Sequence, residues 1–145
     1  MLKSMLLTHS LEWISRFHVV VVHFPIALLL TAALAEAMVM WRGATELVSV
    51  ARFCVRLGAA GAIGAAALGW TRGSYSGDAS AILAFHRWIG TAACICSIAA
   101  ALLSFQQRWP HPWLFRASLF SCAALVGLAG HLGGLTVYGE AYFRW

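Results

Sequence analysis

The sequence predicts an all-α integral membrane protein, four helices in an up-down-up-down bundle. Three observations predict it. Of 145 residues, 61% are hydrophobic and only 10% are charged, where a soluble domain carries about 25% charged residues. Short polar turns separate four apolar stretches, each near the roughly 20 residues that a helix needs to cross a bilayer. Trp41, Trp70, Trp88, Trp109, Trp113 and Trp145 fall near the ends of those stretches, where an aromatic belt sits. A soluble globular protein and a disordered chain are thereby excluded. No sizeable water-facing domain fits beside four spans, so the expectation is one four-span transmembrane domain over 1–145.

The first 16 residues are mixed, with Lys3, His9, Glu12 and Arg16. They lack the order of charged, apolar and small-residue regions of a cleavable signal. Trp13, Ile14 and Phe17 read as an interfacial lead-in. Span one is expected at about 17–41. Its Pro25 removes a backbone hydrogen bond and kinks the helix unless the true span starts there. Span two is expected at about 48–70. Its middle, Gly58 to Ala65, is built from small residues, where another helix or a flat ligand can approach the backbone. Arg72 to Asp78 carries turn chemistry. Span three is expected at about 82–105, a turn with two prolines at 106–112, and span four at about 113–137. An aromatic tail follows.

Four spans put both termini on one side. Arg42, Arg52, Arg56, Arg108 and Arg116 fall on the opposite side, and Lys3, Arg16, Arg72, Arg87 and Arg144 on the side of the termini. Five against five does not decide orientation by the positive-inside rule. Net charge leans towards termini outside. The arginines are scattered at membrane edges without a basic run, so nucleic acid is not expected as a partner.

The histidines carry most of the information. The chain has six against five acidic residues. His18 and His23 open span one, His86 opens span three and His131 lies near the end of span four. All four fall in the leaflet on the side of the termini, as does His9; His111 is on the other side. His18 and His23 differ by about 7.5 Å in height and about 140° in direction on a straight helix. They point at one spot only if Pro25 or a frayed start redirects one. His23 and His131 sit at comparable depth inside spans, where ionisable side chains usually mark a site. His9 and His111 read as interfacial polar residues, and His18 fits either reading.

Imidazoles at matched depth on different helices suit a haem iron or another metal. A bis-His haem also needs small residues beside the macrocycle and cations near its propionates. The glycine face of span two, Gly61 included, with Gly90, Gly130, Gly133 and Gly134, can supply the first. Arg72, Arg87 and Arg16 can supply the second. The combination favours b-type haem over a compact metal such as copper. Cys54, Cys94, Cys96 and Cys122 are scattered and read as small buried residues; no Cys-x-x-Cys-His supports covalent haem. Glu36, in the other leaflet, is expected to pair with Arg52 or Arg56, with a proton path as the alternative.

The segment His18-Val19-Val20-Val21-Val22-His23-Phe24-Pro25-Ile26-Ala27-Leu28-Leu29 resembles a bacterial four-helix membrane family, domain of unknown function 2231. Its pattern has two histidines five apart followed by Phe-Pro-Ile-Ala-Leu. Its third span begins with a His, here His86-Arg87-Trp88-Ile89-Gly90. Its fourth ends in Gly-His-x-Gly-Gly, here Gly130-His131-Leu132-Gly133-Gly134, before Val137-Tyr138-Gly139. Members often have Pro after the first His, where this chain has Val19. The resemblance covers nearly the whole chain. It implies a cytochrome b-like haem binder with His18, His23, His86 and His131 as matching positions, for one haem or two.

The expected function is thus a small bis-His haem b subunit of the bacterial inner membrane. It would relay electrons between a c-type cytochrome and the membrane or quinone pool, within a larger complex and with its haem site on the periplasmic side. It is not expected to be an enzyme by itself. The rival expectations are a structural or assembly subunit without a redox centre, and a protein that handles copper or another metal ion.

Overall fold

A computed structural model describes residues 2–106 and 112–139, with side chains from residue 8 onward. His111, Arg108 and Trp109, and the tail with Glu140, Arg144 and Trp145, lie outside the described residues. The elements are α1 (Leu2–Ser15), α2 (His18–Val21), α3 (His23–Arg42), α4 (Leu47–Tyr75), α5 (Ala81–Ser104) and α6 (Pro112–Tyr138). Among the described residues there is no strand. Four helical runs are long and apolar enough to cross a membrane: Thr8–Arg42, Leu47–Tyr75, Ala81–Ser104 and Pro112–Tyr138.

The first run is broken in its hydrogen bonding. Arg16 and Phe17 bond back three residues, to Trp13 and Ile14, which tightens the chain between α1 and α2. A turn at Val22 separates α2 from α3. Pro25 falls in the first turn of α3, where backbone N–H groups lack intrahelical partners, so its missing donor costs little. The span therefore restarts beside the proline. Helix α3 ends at Gly43 in the left-handed region (φ 65°), whose N–H bonds the Val39 carbonyl at 3.1 Å. Glycine takes that conformation without a Cβ penalty.

Helix α4 runs through Tyr75, past the turn expected from Arg72. Arg72 and Gly73 are therefore helical. The turn starts only at Ser76, with Gly77 at φ 66°. Ser80 caps α5, its hydroxyl accepting from the Leu83 N–H at 3.2 Å, a usual way to satisfy a free amide there.

Helices α3, α4, α5 and α6 pack in chain order, and α3 against α6 closes the ring over a smaller interface. The core is made largely of small side chains: Ala32, Ala33, Cys54, Val55, Ala93, Ala100, Cys122 and Val126 around Leu29 and Leu119. A Cβ at Gly58 would lie 2.9 Å from Leu29 Cγ, so this glycine sets how closely α3 and α4 approach. Large apolar side chains point outward instead. Leu34, Phe53, Ile95 and Leu102 are 63–64% exposed. Small residues inside and large ones outside is the packing of a bundle whose outer solvent is lipid. The chain is a multi-pass membrane four-helix bundle.

A candidate bis-histidine centre

Two histidines meet inside the bundle. His18 on α2 and His86 on α5 place their ring centres 6.3 Å apart, with planes at 76°. Each ring is tethered to a different neighbouring helix. His18 Nδ1 lies 2.8 Å from the Ala65 carbonyl of α4. His86 Nδ1 lies 2.9 Å from the Ala129 carbonyl of α6. A carbonyl only accepts, so each neutral ring carries its proton on Nδ1 and keeps a lone pair on Nε2. Anchoring of one nitrogen by a backbone carbonyl is the usual support of a metal-ligating imidazole.

The two anchors repeat each other. Gly69 follows Ala65 by four residues, and Gly133 follows Ala129 by four. A Cβ at Gly69 would lie 2.8 Å from His18 Cε1, and one at Gly133 would lie 3.0 Å from His86 Cε1. Both histidines thus press their Cε1 edge against a helix where only glycine leaves room. The motif Ala-x-x-Leu-Gly occurs at Ala65–Gly69 and again at Ala129–Gly133. One hairpin, α2–α3 with α4, mirrors the other, α5 with α6.

His18 and His23 lie about 140° apart on a helical period, and it is His18 that turns inward. His23 opens α3 with its ring exposed, its Nδ1 bonded to the Val19 carbonyl of the preceding turn at 2.6 Å. His131 is exposed on α6. Gly133 faces the His86 ring, and two residues on a helix differ by about 200°, so His131 turns to the far side of α6. His9 is exposed on α1.

Beside His86, Arg87 lays its guanidinium over the Trp70 ring, 3.9 Å from the centroid. A Cβ at Gly73 would meet that guanidinium at 3.2 Å. Arg87 Nε is buried with no hydrogen-bond partner. The Trp70 indole donates to Thr91 Oγ1 at 2.9 Å, and that hydroxyl donates to the Arg87 carbonyl at 2.8 Å. Trp88 packs edge-on against Trp70 at 5.4 Å. Arg72 lies half-buried in the last turn of α4. Arg16 is engaged elsewhere, with Glu12 at 3.3 Å.

The expected glycines serve different ends. Gly61 packs on Phe24 and Pro25 and belongs to the α3–α4 contact. Gly90 and Gly130 have nothing within 4 Å of a would-be Cβ, and Gly134 is half-buried on α6. Gly69, Gly73, Ala65, Ala129, Trp70 and Thr91 were not legible as site residues in the spacing of histidines alone. The repeated Ala-x-x-Leu-Gly is a signal that could have found three of them, Ala65, Gly69 and Ala129.

Glu36 does not pair with Arg52 or Arg56. Its buried carboxylate accepts from Arg116 Nε at 2.8 Å, across the α3–α6 interface. Arg56 instead donates to Ser104 Oγ at 2.8 Å and to the Ser104 carbonyl at 2.7 Å. Among the described residues, no group of three or more His, Cys, Asp or Glu side chains converges on one point.

No curated protein and no solved structure matches the chain. A family model does, over residues 15–142, which takes in all four spans and both anchored histidines. By that match the chain belongs to the family described as predicted membrane protein, DUF2231.

Proposed function

We propose that the chain is a haem b-binding electron-transfer subunit in which His18 and His86 would hold the haem iron. The observation that carries this is the separation of the two anchored rings. Two imidazoles that bind one metal from opposite sides through Nε2 have centres about 6 Å apart, since each N–metal bond is about 2.0 Å and each nitrogen lies about 1.1 Å from its ring centre. The 6.3 Å of His18 and His86 fits. So does their donor set. The Ala65 and Ala129 carbonyls hold the proton on Nδ1 and leave Nε2 as the ligating atom.

Haem, when bound, supplies reversible one-electron chemistry. The chain's own part is to orient, shield and tune. The carbonyl anchors fix ring rotation and raise imidazole basicity. Arg87, with an orphaned buried Nε, and Arg72 are the cations for the propionates. Trp70 and Gly73 hold Arg87 in place. His23 and His131 are the remaining imidazoles for a second haem. The site lies in the leaflet of the termini, and we read that leaflet as the periplasmic side of a bacterial inner membrane. There a c-type cytochrome can exchange electrons with it, and the quinone pool or another subunit of a larger complex takes the other end.

The second reading is a structural or assembly subunit. It is favoured by the same hydrogen bonds, since His18 and His86 tie α2 to α4 and α5 to α6. A compact copper-type site has less support, because among the described residues no third His, Cys, Asp or Glu joins the pair. An optical spectrum of the purified protein, with its haem-to-protein ratio, decides. A Soret band with sharp reduced α and β bands is expected. A colourless, folded and functional protein overturns the haem reading, and metal analysis of that sample separates the other two.

A further inference from the structure

We propose that the bundle end opposite the histidines binds the phosphate headgroup of an anionic membrane lipid, with Arg52 as the principal contact. This rests on the fold and the charges, not on the haem reading. A cavity of about 160 Å³ opens between all four spans there. Its polar wall holds Glu36, Arg52, Ser104 and Arg116, and its apolar wall includes Val39 and Phe115. A charged head beside an apolar wall is the outline of an amphiphile.

The arginines here differ in what answers them. Arg116 is answered by Glu36 at 2.8 Å. Arg56 is answered by Ser104 and lies over the Phe105 ring at 3.9 Å. Arg52 is half-buried and lines both this cavity and the neighbouring one. Among the described residues it has neither ion pair nor hydrogen bond. Glu46 faces the neighbouring cavity without forming an ion pair with any described group. The connecting residues 107–111 contain no carboxylate. A half-buried guanidinium beside an apolar wall, with no counter-ion of its own, is a ready partner for an anion. Basic pockets between spans are where anionic lipid headgroups bind. The Glu36–Arg116 pair is neutral as a unit, so it leaves Arg52 to set the sign of the cavity.

The test is native mass spectrometry of the full chain in detergent, titrated with phosphatidylglycerol, phosphatidylcholine or inorganic phosphate. Phosphatidylglycerol should be retained in clear preference to phosphatidylcholine. Arg52→Gln should weaken its retention about tenfold, the effect of losing one hydrogen-bonded charge contact. Val39→Phe, which fills the cavity without changing charge, should weaken it too. Arg42→Gln, an exposed arginine of the same edge outside the cavity, should bind as wild type. Three results overturn the proposal: unchanged retention in both Arg52→Gln and Val39→Phe, equal retention of the two lipids, or full displacement of phosphatidylglycerol by millimolar inorganic phosphate. Unchanged helix content by circular dichroism confirms that each variant is folded.

Discussion

His18 and His86, 68 positions apart in the chain, face each other at 6.3 Å, each fastened by Nδ1 to a carbonyl of a different helix. Neither carbonyl belongs to the helix of the histidine it holds. The pair is therefore positioned by the whole bundle, and a change in any of four helices reaches it.

If these rings hold haem, His18→Ala and His86→Ala should each lose the haem of that pair, leaving less than about a tenth of the wild-type haem if one is bound and about half if two are, since loss of one ligand ends bis-His binding. His9→Ala and His111→Ala should keep the full reduced spectrum. His23→Ala and His131→Ala report on a second haem. They should halve the haem-to-protein ratio if two are bound and leave it unchanged if one is. The ratio is read from the pyridine haemochrome of purified protein. Wild-type spectra in both His18→Ala and His86→Ala would remove the pair from the site.

Gly69→Ala and Gly133→Ala test the same centre from behind. A Cβ at these positions falls 2.8 Å and 3.0 Å from the imidazole Cε1 atoms, closer than van der Waals contact allows, so each ring must swing. Overpacking of this kind costs about 1–3 kcal/mol. The strain should appear as a shifted spectrum and a lowered melting temperature. Gly90→Ala, with nothing within 4 Å of its Cβ, should be silent in both.

Much of the fold was legible in the sequence because lipid makes composition itself diagnostic. Apolar runs and flanking tryptophans locate spans without any contact information. The site was legible only in its leaflet. Depth along a helix follows from residue number, and a helical period sets His18 and His23 about 140° apart, so one ring faces inward and the other does not. Which of the two turns inward is decided by packing against α4, whose Ala65 carbonyl holds His18. The repeated Ala-x-x-Leu-Gly is a signal of a different kind, since it marks where an imidazole can approach a helix backbone closely. Glu36 teaches the same limit. Its partner was sought across the nearest loop, yet closure of the ring brings Arg116, 80 positions away, to 2.8 Å.

That ion pair gives a stability prediction. Breaking a buried pair by removing one partner costs about 3–5 kcal/mol, because the other charge is left alone. Arg116 is 35% exposed and Glu36 only 7%, so water relieves part of the loss, and Arg116→Leu should cost about 1–3 kcal/mol. Glu36→Leu combined with Arg116→Leu should recover most of it. Unfolding of the wild type and the two variants in mixed micelles measures this. A spectrum unchanged in all of them is expected as well, since the pair lies at the far end of α3 from His18.

If the centre holds haem, Arg87 would tune its potential. Its guanidinium is pinned between the Trp70 ring at 3.9 Å and the backbone at Gly73, next in sequence to His86, with one buried nitrogen unanswered. A fixed cation beside a redox group favours the electron-rich state. Removing it therefore lowers the midpoint potential. Arg87→Gln should shift that potential down by about 20–60 mV, where 59 mV is a tenfold change for one electron. Arg87→Lys should recover little, because a point-charge ammonium does not stack on Trp70 as the planar guanidinium does. Trp70→Phe removes the indole donor to Thr91 but keeps an aromatic face, so it should move the potential less than Arg87→Gln. Potentiometric titration of the purified protein measures all three. A potential unmoved by Arg87→Gln, with haem content intact, would place Arg87 in the packing of α4 against α5 and assign the propionates to Arg72.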